Sequence, residues 1–363
     1  MYEEPIIAKT SEETDRKCPS CGATADYDPA TGMLLCPYCG TSQQITTESD
    51  TSAEELDFDT AEATGNFNWG VETKTVVCKN CGASTVYDSM STSGECPYCG
   101  SNQVIQQENT ANMMAPGGVC PFKVSKENAG TNFKAWLGKK IFCPSLAKQK
   151  AKPDEFNGIY LPYWTFDSQT YTEYSAQYGI DHTHRDSNGN THTTTDWHRT
   201  SGAYSQFIDD ELVIASSQQN SVILKRIEPF NTADNITYKP EYLAGFGSER
   251  YSIGLKDAWE LAKNSISAKL KKAISEKVEH EKHADHVNNI VMNINYSDIK
   301  YKYLLLPVWM SCFEYNGKVY QFMVNGQTGK VGGKAPVSPL RVCIACAIGL
   351  VVLAAVGIYI YTS

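Results

Sequence analysis

Eight cysteines in two copies of one spacing carry the clearest chemistry in this chain. Cys18-Pro-Ser-Cys21-Gly is followed, after fourteen intervening residues, by Cys36-Pro-Tyr-Cys39-Gly. The pattern returns as Cys78-Lys-Asn-Cys81-Gly and, again after fourteen residues, Cys96-Pro-Tyr-Cys99-Gly. Both copies carry Gly-Ala and then Tyr-Asp between the pairs: Gly22, Ala23, Tyr27 and Asp28, then Gly82, Ala83, Tyr87 and Asp88. This is one unit used twice. In CxxCG both sulfurs point to one side of a tight knuckle, and the glycine accepts the left-handed backbone that closes it. Two facing knuckles offer four thiolates in a tetrahedron, the geometry zinc prefers. The span between pairs is enough for a short hairpin only, so metal must supply much of each unit's folding energy.

Two disulfides per copy, or a redox CxxC, are the competing readings. The start of the chain, Met1-Tyr-Glu-Glu-Pro-Ile-Ile-Ala-Lys9, has neither the basic nor the long apolar region of a secretory signal. A reducing compartment is therefore expected, and it disfavours disulfides. A redox motif would stand singly beside a βαβ unit, not as matched pairs. Cys18, Cys21, Cys36, Cys39, Cys78, Cys81, Cys96 and Cys99 are thus expected to hold two structural zinc ions, with no coordination position left for catalysis.

Three further clusters invite a chemical reading. If a hairpin turns at Ser187-Asn188-Gly189, His184 faces His192, and His182 and His198 share that face by parity. That face is either a transition-metal site or a solvated polar surface. His280, His283 and His286, among Glu279, Glu281 and Asp285, advance in steps of three that drift around a helix, so a solvated face is expected. Asn325-Gly-Gln-Thr-Gly329-Lys330-Val331 resembles a phosphate loop but has Val324 and Val331 where GxxxxGK[ST] needs Gly and Ser or Thr, and it reads as a turn. GxSxG, HExxH, GxGxxG and kinase signatures are absent from the sequence. Cys120, Cys143 and Cys312 read as buried thiols. No catalytic residue is assigned, and a non-enzymatic protein is expected.

The elements that must position these groups make a multidomain chain: two small β zinc ribbons, an α+β central domain and one C-terminal transmembrane helix. An N-terminal tail covers 1–16, ribbon 1 covers 17–44, and ribbon 2 covers 76–106. Between the ribbons, residues 45–75 are rich in Ser, Thr, Asp and Glu and read as a flexible acidic linker. Near its end Phe67, Trp69 and Gly70 either dock onto ribbon 2, the preferred reading, or form an interaction motif. In the central domain, 119–336, Ser125 is placed to cap a helix over 126–140 with Ala129, Phe133, Trp136 and Leu137 on one face. Residues 159–166 form an aromatic strand in which Pro162 implies an edge or a bulge. Strands are also expected near 171–180, 290–296, 301–313 and 318–324, the last after an Asn316-Gly317 turn. A helix from Leu255 to about Asp285 carries the stripe Trp259, Ala262, Ile266, Leu270, Ala273, Ile274 and Val278.

The chain of 363 residues has 41 acidic and 32 basic side chains, a formal net charge of -9. Residues 1–118 hold 18 acidic and 5 basic side chains and the remainder 23 and 27, so an acidic head of −13 precedes a body of +4. A general duplex-DNA binder, whose affinity comes from neutralising phosphates, is disfavoured. From Val342 to Tyr361 twenty residues carry no charge and no proline. At about 1.5 Å per residue they span roughly 30 Å, the thickness of a hydrocarbon core. Residues 340–361 are therefore expected to anchor the chain in a bilayer. Lys330, Lys334 and Arg341 precede them and place the N-terminal part in the cytoplasm. Cys343 and Cys346 read as small apolar filler, while Ala345 and Gly349 give one small-xxx-small step that leaves self-association open.

Taken with Pro121-Phe-Lys-Val124, Gly158-Ile-Tyr-Leu-Pro-Tyr-Trp-Thr-Phe-Asp167, Tyr242-Leu-Ala-Gly-Phe246, Leu306-Pro-Val-Trp309 and Asn325-Gly-Gln-Thr-Gly329-Lys330, the tandem CPYCG ribbons resemble the bacterial transcription-factor-IIB-type zinc-ribbon proteins, often labelled replication-restart helicases or phage replication proteins. The resemblance covers nearly the whole chain. It implies a tail-anchored protein of the cytoplasmic membrane with two zinc ions. It also implies association with flotillin-like (SPFH) proteins and phage-shock-protein-A homologues in envelope stress. The helicase label rests on the ribbon alone, since this sequence lacks a nucleotide-binding loop. A membrane-anchored adaptor or scaffold is the expectation, with nucleic-acid binding linked to replication or transcription as the alternative.

Overall fold

The computed structural model describes residues 16–45, 52–61, 69, 73–88, 96–99, 101–107, 114–151, 156–185 and 190–362. The expected tail 1–15, Phe67, Gly70 and the turn residues Ser187, Asn188 and Gly189 lie outside them. In chain order, ribbon 1 comprises β1 (Asp26–Asp28), β2 (Met33–Leu35) and β3 (Ser42–Gln43), which form a sheet of their own. After β4 (Leu56–Asp57), ribbon 2 comprises β5 (Thr73–Cys78), β6 (Ser84–Asp88) and β7 (Val104–Gln107). The body follows with β8 (Gly118–Val119), α1 (Lys126–Gly138), α2 (Ser145–Lys150), β9 (Asn157–Arg185), β10 (Thr191–Ile214) and α3 (Ser221–Ile227). It continues with β11 (Ile236–Thr237), β12 (Gly247–Ser248), α4 (Leu255–Lys282), β13 (His286–Tyr315), β14 (Lys318–Asn325) and β15 (Val331–Gly333), and α5 (Pro339–Thr362) closes the described chain.

The sheet is organised by β9 and β13, which run antiparallel from the Met310–Asn157 pair to the His286–Gly179 pair. The sequence suggests short separate strands here, but the structure makes each continuous. Its breaks are bulges, between Asn288 and Val291 and between Ser297 and Lys300. Asn289 and Asp298 take positive φ at these points, a backbone that short polar side chains tolerate better than most. Below the second bulge both faces are covered, and side-chain alternation splits the aromatic run between two cores. Tyr160, Trp164, Phe166, Tyr301, Tyr303 and Leu305 enter one with α1 and the first half of α4. Ile159, Leu161, Tyr163, Leu304, Leu306 and Val308 enter the other with α3. Above it, β9, β10 and β13 continue as a three-stranded arm covered on one face by Ile274 and Val278 of α4.

Pro162 lies in this central strand, not at an edge or a bulge. Its carbonyl accepts from Ala215 N at 2.9 Å, so its ring nitrogen faces the same side. There β12, paired to Ile159 and Tyr160, gives way to β10, paired from Tyr163 onward. The missing N–H therefore falls at a junction between two neighbouring strands and costs no ladder bond. The helices follow their sequence signals closely. Ser125 caps α1 by accepting from Asn128 N, with Ala129, Phe133 and Leu137 buried. The stripe of α4 is buried from Trp259 to Val278, except that Ala273 is only half-buried. His283 ends that helix in the left-handed conformation, so His286 belongs to β13 and not to the helix.

The acidic tract between the ribbons differs from its sequence reading. Its described residues 52–61 are docked, because a few apolar side chains among the carboxylates find places on the sheet. Leu56 and Asp57 pair with Tyr301 and Lys300 of β13, and Phe58 packs its ring on Phe166 and Trp259 at 6.2 and 5.8 Å. Glu55 meets Lys302 at 3.3 Å and Lys300 at 3.6 Å. Trp69 is buried too, its ring against Tyr238 of the body, with Tyr238 Oη donating to its carbonyl at 3.1 Å. Replacing Leu56 with Ala should weaken this docking by about 2 kcal/mol. Hydrogen exchange at residues 56–58 should then quicken roughly thirtyfold while the amides of β9 stay protected; unchanged exchange would show that the tract is not held by this side chain.

Candidate metal centres and membrane segment

Each ribbon brings its four sulfurs together. In ribbon 1 Cys18 Sγ lies 3.4 Å from Cys39 Sγ, and Cys21 Sγ 3.6 Å from Cys36 Sγ. In ribbon 2 the Cys78–Cys99 and Cys81–Cys96 distances are both 3.6 Å. All eight are free thiols. Zinc–sulfur bonds of about 2.3 Å in a tetrahedron set sulfurs about 3.8 Å apart, so both quartets fit zinc with a small expansion. The knuckles are built as the spacing requires. Gly22, Gly40 and Gly82 take φ of 74°, 75° and 74°, and their N–H groups donate to the carbonyls of Cys18, Cys36 and Cys78 at 2.8–3.0 Å.

The local field favours thiolate at Cys18 and Cys39 in ribbon 1 and at Cys78 in ribbon 2. The Thr41 hydroxyl, 3.2 Å from Cys39 Sγ, leads the interactions that bring that thiol down to about 6. Burial opposes ionisation at Cys78, but the backbone N–H groups of Cys81 and Asn80 together with the Cys99 and Cys81 side chains outweigh it and bring it down to about 7. Such pre-formed donors stabilise the charge that metal binding requires.

The two copies are attached differently. Tyr27 of ribbon 1 is buried in the first core, its ring 5.6 Å from Tyr242 and its hydroxyl donating to Phe122 O at 3.3 Å. Ribbon 2 joins the large sheet itself, through Val86 of β6 beside Ser248 of β12. The second CPYCG tyrosine, Tyr98, is buried and donates to Glu249 Oε2 at 2.9 Å, whereas its counterpart Tyr38 is 82% exposed. Glu249 is only 2% exposed and also accepts from Ser216 and Gln219. The sequence marks Tyr27 and Tyr98 as members of a repeat but does not distinguish their roles, because their partners lie more than 90 residues away.

A second grouping had no sequence signal. Asp167, Asp209 and Asp210 converge where β10 bulges between Ile208 and Glu211. Asp167 is buried and accepts from Asp210 N at 2.6 Å, and the nearly buried ammonium of Lys302 reaches Asp210 at 2.8 Å. Burial pushes the Asp167 carboxyl up, while the Asp210 carboxylate keeps Lys302 charged against its own burial.

The remaining expected groups stand as follows. His184 is directly opposite His192, as the turn position implied, while His182 faces Thr194 and His198 faces Tyr178. Asn325-Gly-Gln-Thr-Gly329 is a turn: buried Asn325 donates to the carbonyls of Ile227 and Pro229 and accepts from the N–H groups of Gln327 and Thr328. Cys120 and Cys143 are buried, but Cys312 is only partly so. Within α5 the 22-residue span Pro339–Ile360 holds an apolar window with mean hydropathy 2.7, no residue of which is buried against the body. It is long and apolar enough to cross a membrane. Arg341 at its start donates to the carbonyls of Ile141 and Cys143 and to Ser145 Oγ, fastening it to the loop before α2.

No family model matches the sequence, and no solved structure matches it. The chain is similar to the uncharacterized protein YdjG of Bacillus subtilis (strain 168), with 28% identity over 332 residues, 89% of this chain and 90% of that protein. The structure itself defines a two-ribbon protein whose four-cysteine groups are compatible with two zinc ions, with one helix able to span a bilayer.

Two outcomes test this site. Elemental analysis of the full chain should return two zinc ions, and Cys36→Ser or Cys96→Ser should each leave one; a full complement in either variant would remove that quartet. Burial raises the Glu249 carboxyl above its ordinary value. Its ionisation therefore costs stability as pH rises from about 4.5 toward the folded value, and stability is regained on acidification. Denaturation of Glu249→Gln beside the parent should show the variant gaining relative stability between pH 4.5 and 7, and a constant difference would refute the assignment.

Proposed function

We propose that this chain is a non-enzymatic, membrane-anchored adaptor whose zinc ribbons and aromatic body are presented to partners at the cytoplasmic face of the inner membrane. The observation that carries the reading is α5, a helix of bilayer length with no residue of its apolar window buried, joined to the folded body through Arg341. A helix of this kind in water would expose the whole of that surface, a strong driving force for insertion. Lys330, Lys334 and Arg341 on the body side set the orientation. Closed four-thiolate sites leave the metals a structural role. Ribbon 1 supplies the presenting surface: Tyr38 and Leu35 point outward while the equivalent Tyr98 is spent on fixing ribbon 2. The partner class, flotillin-like or phage-shock-protein-A-like proteins in membrane organisation or envelope stress, follows from the resemblance noted in the sequence.

Nucleic-acid binding is the alternative, and it would draw on the basic stretch of α4 made by Lys269, Lys271, Lys272 and Lys277. Three of those lysines are already matched to carboxylates, Lys269 to Glu211 at 2.5 Å, Lys272 to Glu276 at 3.7 Å and Lys277 to Glu281 at 2.5 Å. The ribbon-bearing head is acidic besides. Affinity capture from a detergent extract, with and without nuclease, separates the readings. The adaptor reading expects nuclease-resistant recovery of a membrane-associated protein, reduced about tenfold or more by Tyr38→Ala, which leaves both zinc ions in place. Recovery that nuclease abolishes would establish the alternative instead.

A further inference from the structure

The chain has seven histidines, at 182, 184, 192, 198, 280, 283 and 286, and the topology collects all of them at one end of the three-stranded arm. His280 and His283 close α4, and Asp285 N is bonded to Gly179 O at 2.9 Å, which brings the helix end to the sheet. His286 pairs with Gly179 on one face of the sheet, where its Nε2 meets Asp181 Oδ2 at 3.1 Å. His182, His184, His192 and His198 lie on the opposite face.

We propose that His184, His192 and His182 form a third metal site, for a divalent late transition ion of the zinc or nickel type. His184 and His192 are direct cross-strand partners, and such pairs place their Cβ atoms about 4.5–5.5 Å apart. Two imidazoles at that separation can bring ring nitrogens to the roughly 3.3 Å that metal–nitrogen bonds of about 2.0–2.1 Å require in a tetrahedron. His182 stands two residues from His184 on the same face, about 7 Å along the strand. Its Nε2 lies 3.3 Å from Asp196 Oδ2, the carboxylate–imidazole contact that orients metal-ligating histidines from behind. The face carries Tyr178, Ile180, Thr194, Asp196 and His198 besides these three, and no lysine or arginine; Arg185 and Arg199 project from the other side. Imidazole ligands with one carboxylate behind them suit zinc, nickel or copper and not magnesium or calcium. The ring nitrogens are not gathered in the structure as the thiols are, so an incoming ion turns exposed imidazoles, side chains that change rotamer within nanoseconds. Asp167, Asp209 and Asp210 make no comparable site, since Lys302 already supplies their cation.

The test uses the full chain in detergent, without an affinity tag and with both ribbons loaded with zinc, titrated with nickel chloride. One saturable nickel equivalent is expected in the parent and none in the His184→Ala/His192→Ala variant. His198→Ala should keep the full equivalent, and Asp196→Asn should weaken it about tenfold. His184, His192 and His198 are exposed and Asp196 makes its contact at the surface, so the variants keep the fold. No saturable equivalent in the parent, or an undiminished one in the double variant, would overturn the proposal.

Discussion

The antiparallel ladder between β9 and β13 is the constraint on which the rest of the structure depends. Along its buried part, consecutive side chains alternate between two cores, so one backbone pairing organises α1 and α4 on one side and α3 on the other. The shorter pieces are placed by reference to it. β8 and β4 pair with β13, β12 pairs with β9, and ribbon 2 reaches the same sheet through β12. The bulges at Ser297–Lys300 and Ile208–Glu211 and the Lys302 ionic group mark the level at which the two-sided core ends and the one-sided arm begins. The β10 bulge, with Asp210 at a φ of 47°, is tolerable there because Asp167 accepts the Asp210 N–H that the irregularity releases.

The two ribbons are joined to the body unevenly. Ribbon 1 keeps a sheet of its own and meets the body through Ala25, Tyr27 and Leu34, which enter the first core. Ribbon 2 is stitched by backbone pairing and by the Tyr98–Glu249 contact, and its buried Cys78 and Cys96 are part of the second core. One sequence unit thus serves once as an outward-facing knob and once as a structural edge. The acidic tract joining them is anchored by Leu56, Phe58 and Trp69, with Glu55 turned toward Lys300 and Lys302.

What was legible in the sequence was local. The CxxCG knuckles announce their own geometry because each is closed within five residues, and the Ser125 cap, the α4 stripe and the Asn316–Gly317 turn are likewise short-range. The histidine register follows from a hairpin turn and the strict period of two. The misread parts depend on distant partners. Pro162 looks like an edge residue until β12 and β10 are seen to meet beside it. Residues 52–61 look solvated because a few buried side chains among many carboxylates leave no periodic pattern. Lys302 sits inside an aromatic strand with no hint that Asp210 and Glu55 will meet it.

The central claim is that a zinc-stabilised body is tethered to a bilayer by its C-terminal helix. It is tested most directly by washing a membrane fraction from cells expressing the chain with alkaline carbonate, which strips peripheral proteins. The account predicts that the full chain stays in the pellet and that a version ending at Ser338 is found in the supernatant, still carrying two zinc ions. Release of the full chain into the carbonate supernatant would contradict it.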